Sequence, residues 1–186
     1  PRQEGAFVFT QPGSPNLLFS TIPTKGSKTG SMVFLFGSCS AAVNSFAIDA
    51  SGSVVVAGAQ DGSLAVWKIS DGKKIGAISG AHEGGVRAVA FLSPTCVVSA
   101  GADNTVRIWQ VSADPRLRML HRMAAGDAPL TAIAAWGQEG EAHQVLAAGG
   151  DDGTVYAWKA NSLVSVEGEM RWVPTTVSHH LQGKEV

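Results

Sequence analysis

A thirteen-residue pattern occurs three times along the chain, as VVAGAQDGSLAVW at 55–67, VVSAGADNTVRIW at 97–109 and LAAGGDDGTVYAW at 146–158. Each copy ends in Trp, and an Asp lies six positions earlier, followed by Gly or Asn and then Ser or Thr. The pairs are Asp61 with Trp67, Asp103 with Trp109, and Asp152 with Trp158. Such repetition means one supersecondary unit copied in space, because a unit too small to bury its own apolar face must stack on neighbours. Successive Asp residues are 42 and 49 positions apart. That leaves room for about four short strands per unit.

Each copy reads as a β-hairpin: an apolar strand, a tight turn, and a second strand alternating toward Trp. Asp-Gly and Asp-Asn supply positive φ, so a two-residue type I′ turn is expected, with Gly62, Asn104 and Gly153 in the left-handed position. Small residues before the turn (Gly58 and Ala59, Ala100 and Gly101, Gly149 and Gly150) admit a ring or a second backbone at close range. Further strands are expected upstream of each hairpin at Val43–Ile48, Val86–Phe91 and Leu130–Trp136, and one more downstream of each. Composition agrees with an all-β chain. Among 186 residues there are 22 Gly and 8 Pro, whereas only 16% are charged, against roughly 25% in an average soluble domain.

The same numbers exclude whole classes of function. A net charge of −1 leaves no surplus of Lys and Arg to neutralise a nucleic-acid backbone or a lipid surface, so neither is an expected partner. Apolar runs reach only about five residues, far short of the ~20 that span a bilayer, and Pro1–Gly5 does not read as a signal-peptide start. Cys39 and Cys96 form neither a disulfide framework nor a metal-ligand spacing, which favours a reducing, intracellular compartment.

The recurrence of Asp, turn residue, hydroxyl and Trp over roughly Cys39–Val166 resembles the WD-repeat family, whose units form the blades of a β-propeller. The Asp that follows Trp in that family's name is replaced by Lys68, Gln110 and Lys159. The resemblance implies a hydrogen-bonded tetrad linking a His before the first strand, a Ser or Thr in the second, the turn Asp and the Trp. Only the middle unit has all four, as His82, Ser99, Asp103 and Trp109. In the first unit Cys39 and Ala57 are expected at the His and Ser positions, and in the third Gly126 and Ala148. Those units must rely on packing.

Phe7–Thr10, Asn16–Ile22 and Ser31–Phe36 read as three strands of a degenerate preceding blade that packs with phenyl rings. The expected units are 1–38, 39–80, 81–125 and 126–177, with 178–186 as a tail or the start of another. Since a blade takes about 44 residues and such propellers close with around seven blades, the chain is expected to hold about four, an incomplete set. An open stack would expose sheet faces, so a longer polypeptide or a partner is expected to cover them.

Several sharper readings give way to plainer ones. Ser99, His82 and Asp103 are the residue types of a hydrolase triad, but no nucleophile elbow surrounds Ser99 and the structural tetrad needs the same three. Gly26-Ser27-Lys28-Thr29 lacks the Gly before Lys that a phosphate loop requires. Asp151 and Asp152 lack a Glu at the twelfth loop position, which is Ser162, and so are turn residues. His179 and His180 have no companion at ligand spacing and are read as solvated tail. No metal or cofactor is expected.

The expected function is a non-catalytic scaffold for other protein subunits within an intracellular complex, cytoplasmic, cytoskeletal or nuclear, without a small-molecule substrate. Candidate contact residues are Gln60, Glu83, Arg87 and Asp127 at one end of the propeller. At the other end are Arg116 and Arg118, with Trp136 beside an insertion of about five residues within 136–144. Trp136 is read equally well as the inward end of its strand. Two rivals are weighed. A propeller enzyme with a central-channel site needs acidic or His residues converging from successive blades, and the equivalent positions are apolar or small. A ubiquitin-ligase substrate receptor of this family often carries Asp and then Arg shortly after the Trp, and Lys68–Ser70, Gln110–Ser112 and Lys159–Asn161 lack both.

Overall fold

The computed structural model describes residues 6–21, 33–111, 117–137, 144–161 and 171–174. All its elements are strands, arranged as four antiparallel sheets in chain order. The first contains β1 (Ala6–Thr10), β2 (Asn16–Thr21) and β3 (Val33–Ser38). The second contains β4 (Val43–Ile48), β5 (Val54–Ala59), β6 (Leu64–Lys68) and β7 (Lys74–Ile78). The third contains β8 (Val86–Ser93), β9 (Cys96–Gly101), β10 (Thr105–Gln110) and β11 (Arg118–Ala124). The fourth contains β12 (Leu130–Trp136), β13 (Val145–Gly150), β14 (Val155–Asn161) and β15 (Arg171–Pro174).

Strand neighbours in each sheet are consecutive in sequence, so every sheet is a meander. Each repeated Trp lies on the face turned to the preceding sheet. Trp67 packs with Val8 and Leu17 of the first sheet, Trp109 with Val56, Leu64 and Val66 of the second, and Trp158 with Leu92, Val98, Val106 and Ile108 of the third. Three separate cores therefore lie between the four sheets. A fully buried Leu or Val contributes roughly 1.5–3 kcal/mol, and these cores are built mainly from Leu and Val, with Ala and one Trp in each.

The hairpin turns differ from the expected form. Positive φ occurs at Gly62, Asn104 and Gly153 but not at the Asp before each, whereas a type I′ turn needs it at both central residues. In the second sheet Ala59 N–H donates to Ser63 O (2.9 Å) and Gly62 N–H to Ala59 O (3.1 Å). In the fourth, Gly150 N–H donates to Thr154 O (2.8 Å) and Gly153 N–H to Gly150 O (3.2 Å). This is the three-residue loop, a type I turn closed by a left-handed residue. The signature Asp caps it: Asp61 accepts from Ser63 N–H (3.0 Å), Asp103 from Thr105 N–H (3.3 Å) and Asp152 from Thr154 N–H (2.9 Å).

At that same end the sheets are latched together by backbone bonds. Each turn donates to the segment entering its own sheet: Gln60 N–H to Ala42 O (2.9 Å), Ala102 N–H to Gly85 O (3.1 Å) and Asp151 N–H to Pro129 O (3.0 Å). The turns of the second and third sheets also accept from the segment entering the next sheet, His82 N–H to Gly62 O (3.2 Å) and Ala125 N–H to Asn104 O (2.9 Å). Gly62 is required at its position, since a Cβ there would stand 1.9 Å from the His82 carbonyl oxygen.

The β1–β2 turn is held in the same way, with Cys39 N–H donating to Pro15 O (2.9 Å). β1 to β3 thus match the second to fourth strands of the other sheets, and among the described residues the first sheet has no innermost strand. Of its phenylalanines, Phe19 packs against the core containing Trp67.

Candidate functional site

The middle unit holds one continuous polar chain in an otherwise apolar setting. Trp109 Nε1–H donates to Ser99 Oγ (2.8 Å), and Ser99 Oγ lies 2.7 Å from His82 Nε2. His82 Nδ1 lies 2.8 Å from Asp103 Oδ1. With the proton on Nδ1, every donor faces an acceptor: indole to hydroxyl, hydroxyl to Nε2, Nδ1–H to carboxylate. Ser99 is fully buried at 0% and His82 is at 1%. The serine hydroxyl is already both donor and acceptor, and no substrate reaches it. As a nucleophile it is blocked.

The sequence signature does not announce how much more converges on Asp103. Its carboxylate also accepts from Thr105 Oγ1 (2.8 Å) and from the Arg107 guanidinium (2.7 Å), whose Nε–H reaches Thr105 Oγ1 at 3.2 Å. The only available sequence cue was Arg four residues beyond Asp, a position held by Ala65 and Tyr156 in the other units. Burial opposes ionisation of Asp103, but the bonds from His82 and Thr105 and the nearby charges of His82 and Arg107 outweigh it and bring the carboxyl to about 2. Burial pushes His82 below its ordinary 6.5, against the pull of Asp103.

These directions set a pH dependence. Unfolded, His82 takes up a proton near 6.5 and, folded, only at lower pH, so the unfolded chain binds more protons in between. Its contribution is complete above pH 6.5 and falls on acidification, and that of Asp103 is lost later, between 3.8 and about 2. The urea midpoint of the native chain should therefore decline from pH 7.5 to 5 more steeply than that of His82→Gln. Parallel slopes would show that His82 does not titrate differently on folding.

The other two units solve the same position differently. In the first unit the residue beside Cys39 makes the contact to the turn carboxylate: the Ser40 hydroxyl donates to Asp61 Oδ2 and lies 2.9 Å from Ser63 Oγ. The bonds from Ser40 and Ser63 hold the Asp61 carboxyl below its ordinary range. Cys39 is half-buried one residue earlier, and burial raises its thiol to about 11. In the fourth sheet Gly126 leaves room that Tyr156 takes, since a Cβ on Gly126 would be 1.9 Å from the Tyr156 hydroxyl oxygen. Tyr156 stacks on Trp158 with ring centroids 6.2 Å apart.

Gln60, Glu83, Arg87 and Asp127 are exposed, and all four lie at or beside the latched turn end. Gln60 adjoins the Glu83 segment directly, because a Cβ on Gly85 would be 2.7 Å from the Gln60 carbonyl oxygen. Arg118 is exposed at the far end of the third sheet, opposite Gln110, and Arg116 lies outside the described residues. Trp136, which closes β12 opposite Val145, is 67% exposed. Residues 138–143, Gly26–Thr29, Ser162, His179 and His180 lie outside the described residues. Among the described residues no three His, Cys, Asp or Glu side chains are grouped to hold a metal.

The family model described as "WD domain, G-beta repeat" matches residues 30–68 and 72–110. The chain belongs to the WD-repeat family. Its relatives include human WD repeat-containing protein 36, 35% identical over 107 residues, covering 56% of this chain and 12% of that protein. Elongator complex protein 2 of Danio rerio is 31% identical over 130 residues, covering 67% of this chain and 15% of that protein. Ribosome biogenesis protein ytm1 of Aspergillus oryzae is 40% identical over 63 residues, covering 32% and 13%. Among solved structures, the RRP9 WD40 repeats superimpose with a TM-score of 0.62 at 16% identity, over 91% of this chain and 53% of that one. The structure of U3-55K gives 0.61 at 17% identity, over 82% and 51%. The fold is that of a β-propeller, and the chain spans about half the length of these structures and less than a sixth of these three relatives.

Proposed function

We propose that this chain is part of a non-catalytic WD-repeat scaffold that holds other protein subunits in an intracellular complex. One observation carries the reading: the end that bears Gln60, Glu83, Arg87 and Asp127 is fixed by backbone bonds between successive sheets, while the triad-like Ser99 and His82 are buried and hydrogen-bonded to each other. Rigid loops that present exposed polar groups favour recognition, because little ordering entropy is lost on binding. Names among the relatives point to large assemblies, ribosome biogenesis in one case and the Elongator complex in another. The first favours a nuclear, nucleolar setting. A complex containing RNA is compatible with this reading, with the contacts of this chain made to protein.

The test is the double substitution Glu83→Lys with Asp127→Lys, two exposed side chains on the latched end. Surface substitutions of this kind alter folding by within about 0.5 kcal/mol, so the melting temperature should hold. Recovery of protein subunits with the purified native protein should fall by roughly tenfold, the equivalent of about 1.4 kcal/mol of lost binding. An unchanged set of subunits in unchanged amounts would remove this end from the interface.

A further inference from the structure

Two arginines of the third sheet stand directly opposite each other. Arg107 on β10 pairs with Arg122 on β11, so both side chains leave the same face, the one that carries Trp109 toward the second sheet. Like charges directly across two strands destabilise a sheet. The second sheet shows that the register does not need them: Ala65 takes the place of Arg107, and its partner is Ala77. Arg107 is partly satisfied, with Nη2 donating to Asp103 (2.7 Å) and Nε to Thr105 Oγ1 (3.2 Å), and among the described residues its Nη1 makes no hydrogen bond. The side chain is 17% exposed. Arg122 is exposed and, among the described residues, makes no hydrogen bond or ion pair. Burial apart, the charges of Arg107 and Arg122 both lower the pKa of His82, so the two cations act on one small region.

We infer that Arg107 and Arg122 form a binding site for a carboxylate, the side chain of an Asp or Glu presented by a protein partner at the outer edge of the third sheet. A pairing that costs stability and that a sister sheet does without belongs to function rather than to folding. Against the two guanidinium groups stands one carboxylate, Asp103, so the cluster keeps one positive charge uncompensated and calls for a single anion. A second carboxylate accepting from Arg107 Nη1 and from Arg122 turns their repulsion into a charge-assisted bridge. The attraction is local: β10 and β11 carry three arginines and no acidic residue, in a chain of net charge −1. β11 is the edge strand of its sheet, so the site opens outward. Met119, opposite Trp109 and therefore on the same face as Arg122, is 47% exposed. An apolar side chain beside a single net charge suits a polypeptide, whereas a nucleic-acid backbone is held by several cations in succession. Only the choice of a protein as partner rests on the scaffold reading above.

Arg122→Lys in the native protein, purified from its own cells together with its partners, decides it. The substitution keeps the charge and supplies an amine that carbodiimide joins only to a carboxylate in direct contact. Mass spectrometry should find an amide link from position 122 to an Asp or Glu of another protein. A link confined to Glu83 or Asp103 of this chain, or no link, would overturn the assignment. In Arg122→Glu, recovery of the linked protein should fall by roughly tenfold. After high-salt removal of partners, the melting temperature of Arg122→Glu should equal or exceed the native one, because the new side chain faces Arg107 with opposite charge. A lower value would make Arg122 a structural residue. Ribonuclease should leave the link in place, and its loss, or ultraviolet crosslinks from β11 to RNA, would assign the site to nucleic acid instead. The link at position 122 and the subunits held through Glu83 and Asp127 can be lost independently, so this site and the latched end fail separately.

Discussion

Replacing Gly101 with alanine is expected to destabilise the chain by about 3–5 kcal/mol in urea unfolding, although it adds a single methyl group. Overpacking costs about 1–3 kcal/mol, and a buried polar group stripped of its partner about 1–3 more. Both apply here. A Cβ on Gly101 would stand 2.2 Å from His82 Nδ1, 2.3 Å from Cγ and 2.6 Å from Cβ. The last of these atoms is the root of the side chain, so rotating the ring does not relieve the contact. The ring is also held on both sides, by Asp103 and by Ser99. Gly101 is not among the positive-φ residues, so the cost is one of space and not of backbone conformation.

The second sheet provides the control. At the place of Gly101 it has Ala59, buried at 0%, and its turn Asp is met by the Ser40 hydroxyl instead of an imidazole. Alanine is tolerated where the imidazole is absent. In a His82→Ser background, then, Gly101→Ala should cost about 1 kcal/mol or less, so the two substitutions should be strongly non-additive. Additive penalties in the double-mutant cycle would mean that the Cβ is accommodated by backbone movement and that the ring does not set the limit.

How much of this was readable beforehand differs from residue to residue. The Trp-terminated hairpins were legible because two periods coincide, alternation along the strand and recurrence along the chain, and that pair of constraints has few other solutions. His82, Ser99, Asp103 and Trp109 were found by offset, and the structure places them within hydrogen-bonding distance in sequence. The turn type was not legible: a two-residue and a three-residue loop both want Asp followed by Gly or Asn, and only the φ of the Asp separates them. The Ser40 contact was not legible because the offset of His82 leads to Cys39, and only the fold shows that the hydroxyl of the next residue reaches Asp61. Tyr156 was illegible as a substitute for His, since it arrives in the space above Gly126 from a different strand. Trp136 stayed ambiguous for a related reason. Its environment depends on what lies over the fourth sheet, and no local pattern encodes that.

Trp109→Ala is expected to be the most damaging single substitution, at about 4–6 kcal/mol. Truncating a buried Trp costs about 3–5 kcal/mol through lost burial and the cavity left behind, and Ser99 would lose a donor in a site closed to water. Trp109 is 2% exposed and forms part of the core between the second and third sheets, so its removal strikes the contact that joins them. Trp158 is nearly as buried at 4%, but the position matching Ser99 in its sheet is Ala148, so Trp158→Ala loses packing without orphaning a hydroxyl. The difference between the two variants should be about 1 kcal/mol, the net value of one buried hydrogen bond. Trp109→Phe keeps most of the ring's burial and should cost about 1–3 kcal/mol. If full substitution prevents folding, the Phe variant still separates the hydrogen-bond contribution from the packing one. Amide exchange would locate the damage: in Trp109→Phe, protection should fall first along β6 and β8, whose Val66 and Val89 line that core, while β13 and β14 keep theirs. Uniform loss across all four sheets would mean that the stack unfolds as one unit and that its cores are not energetically separate.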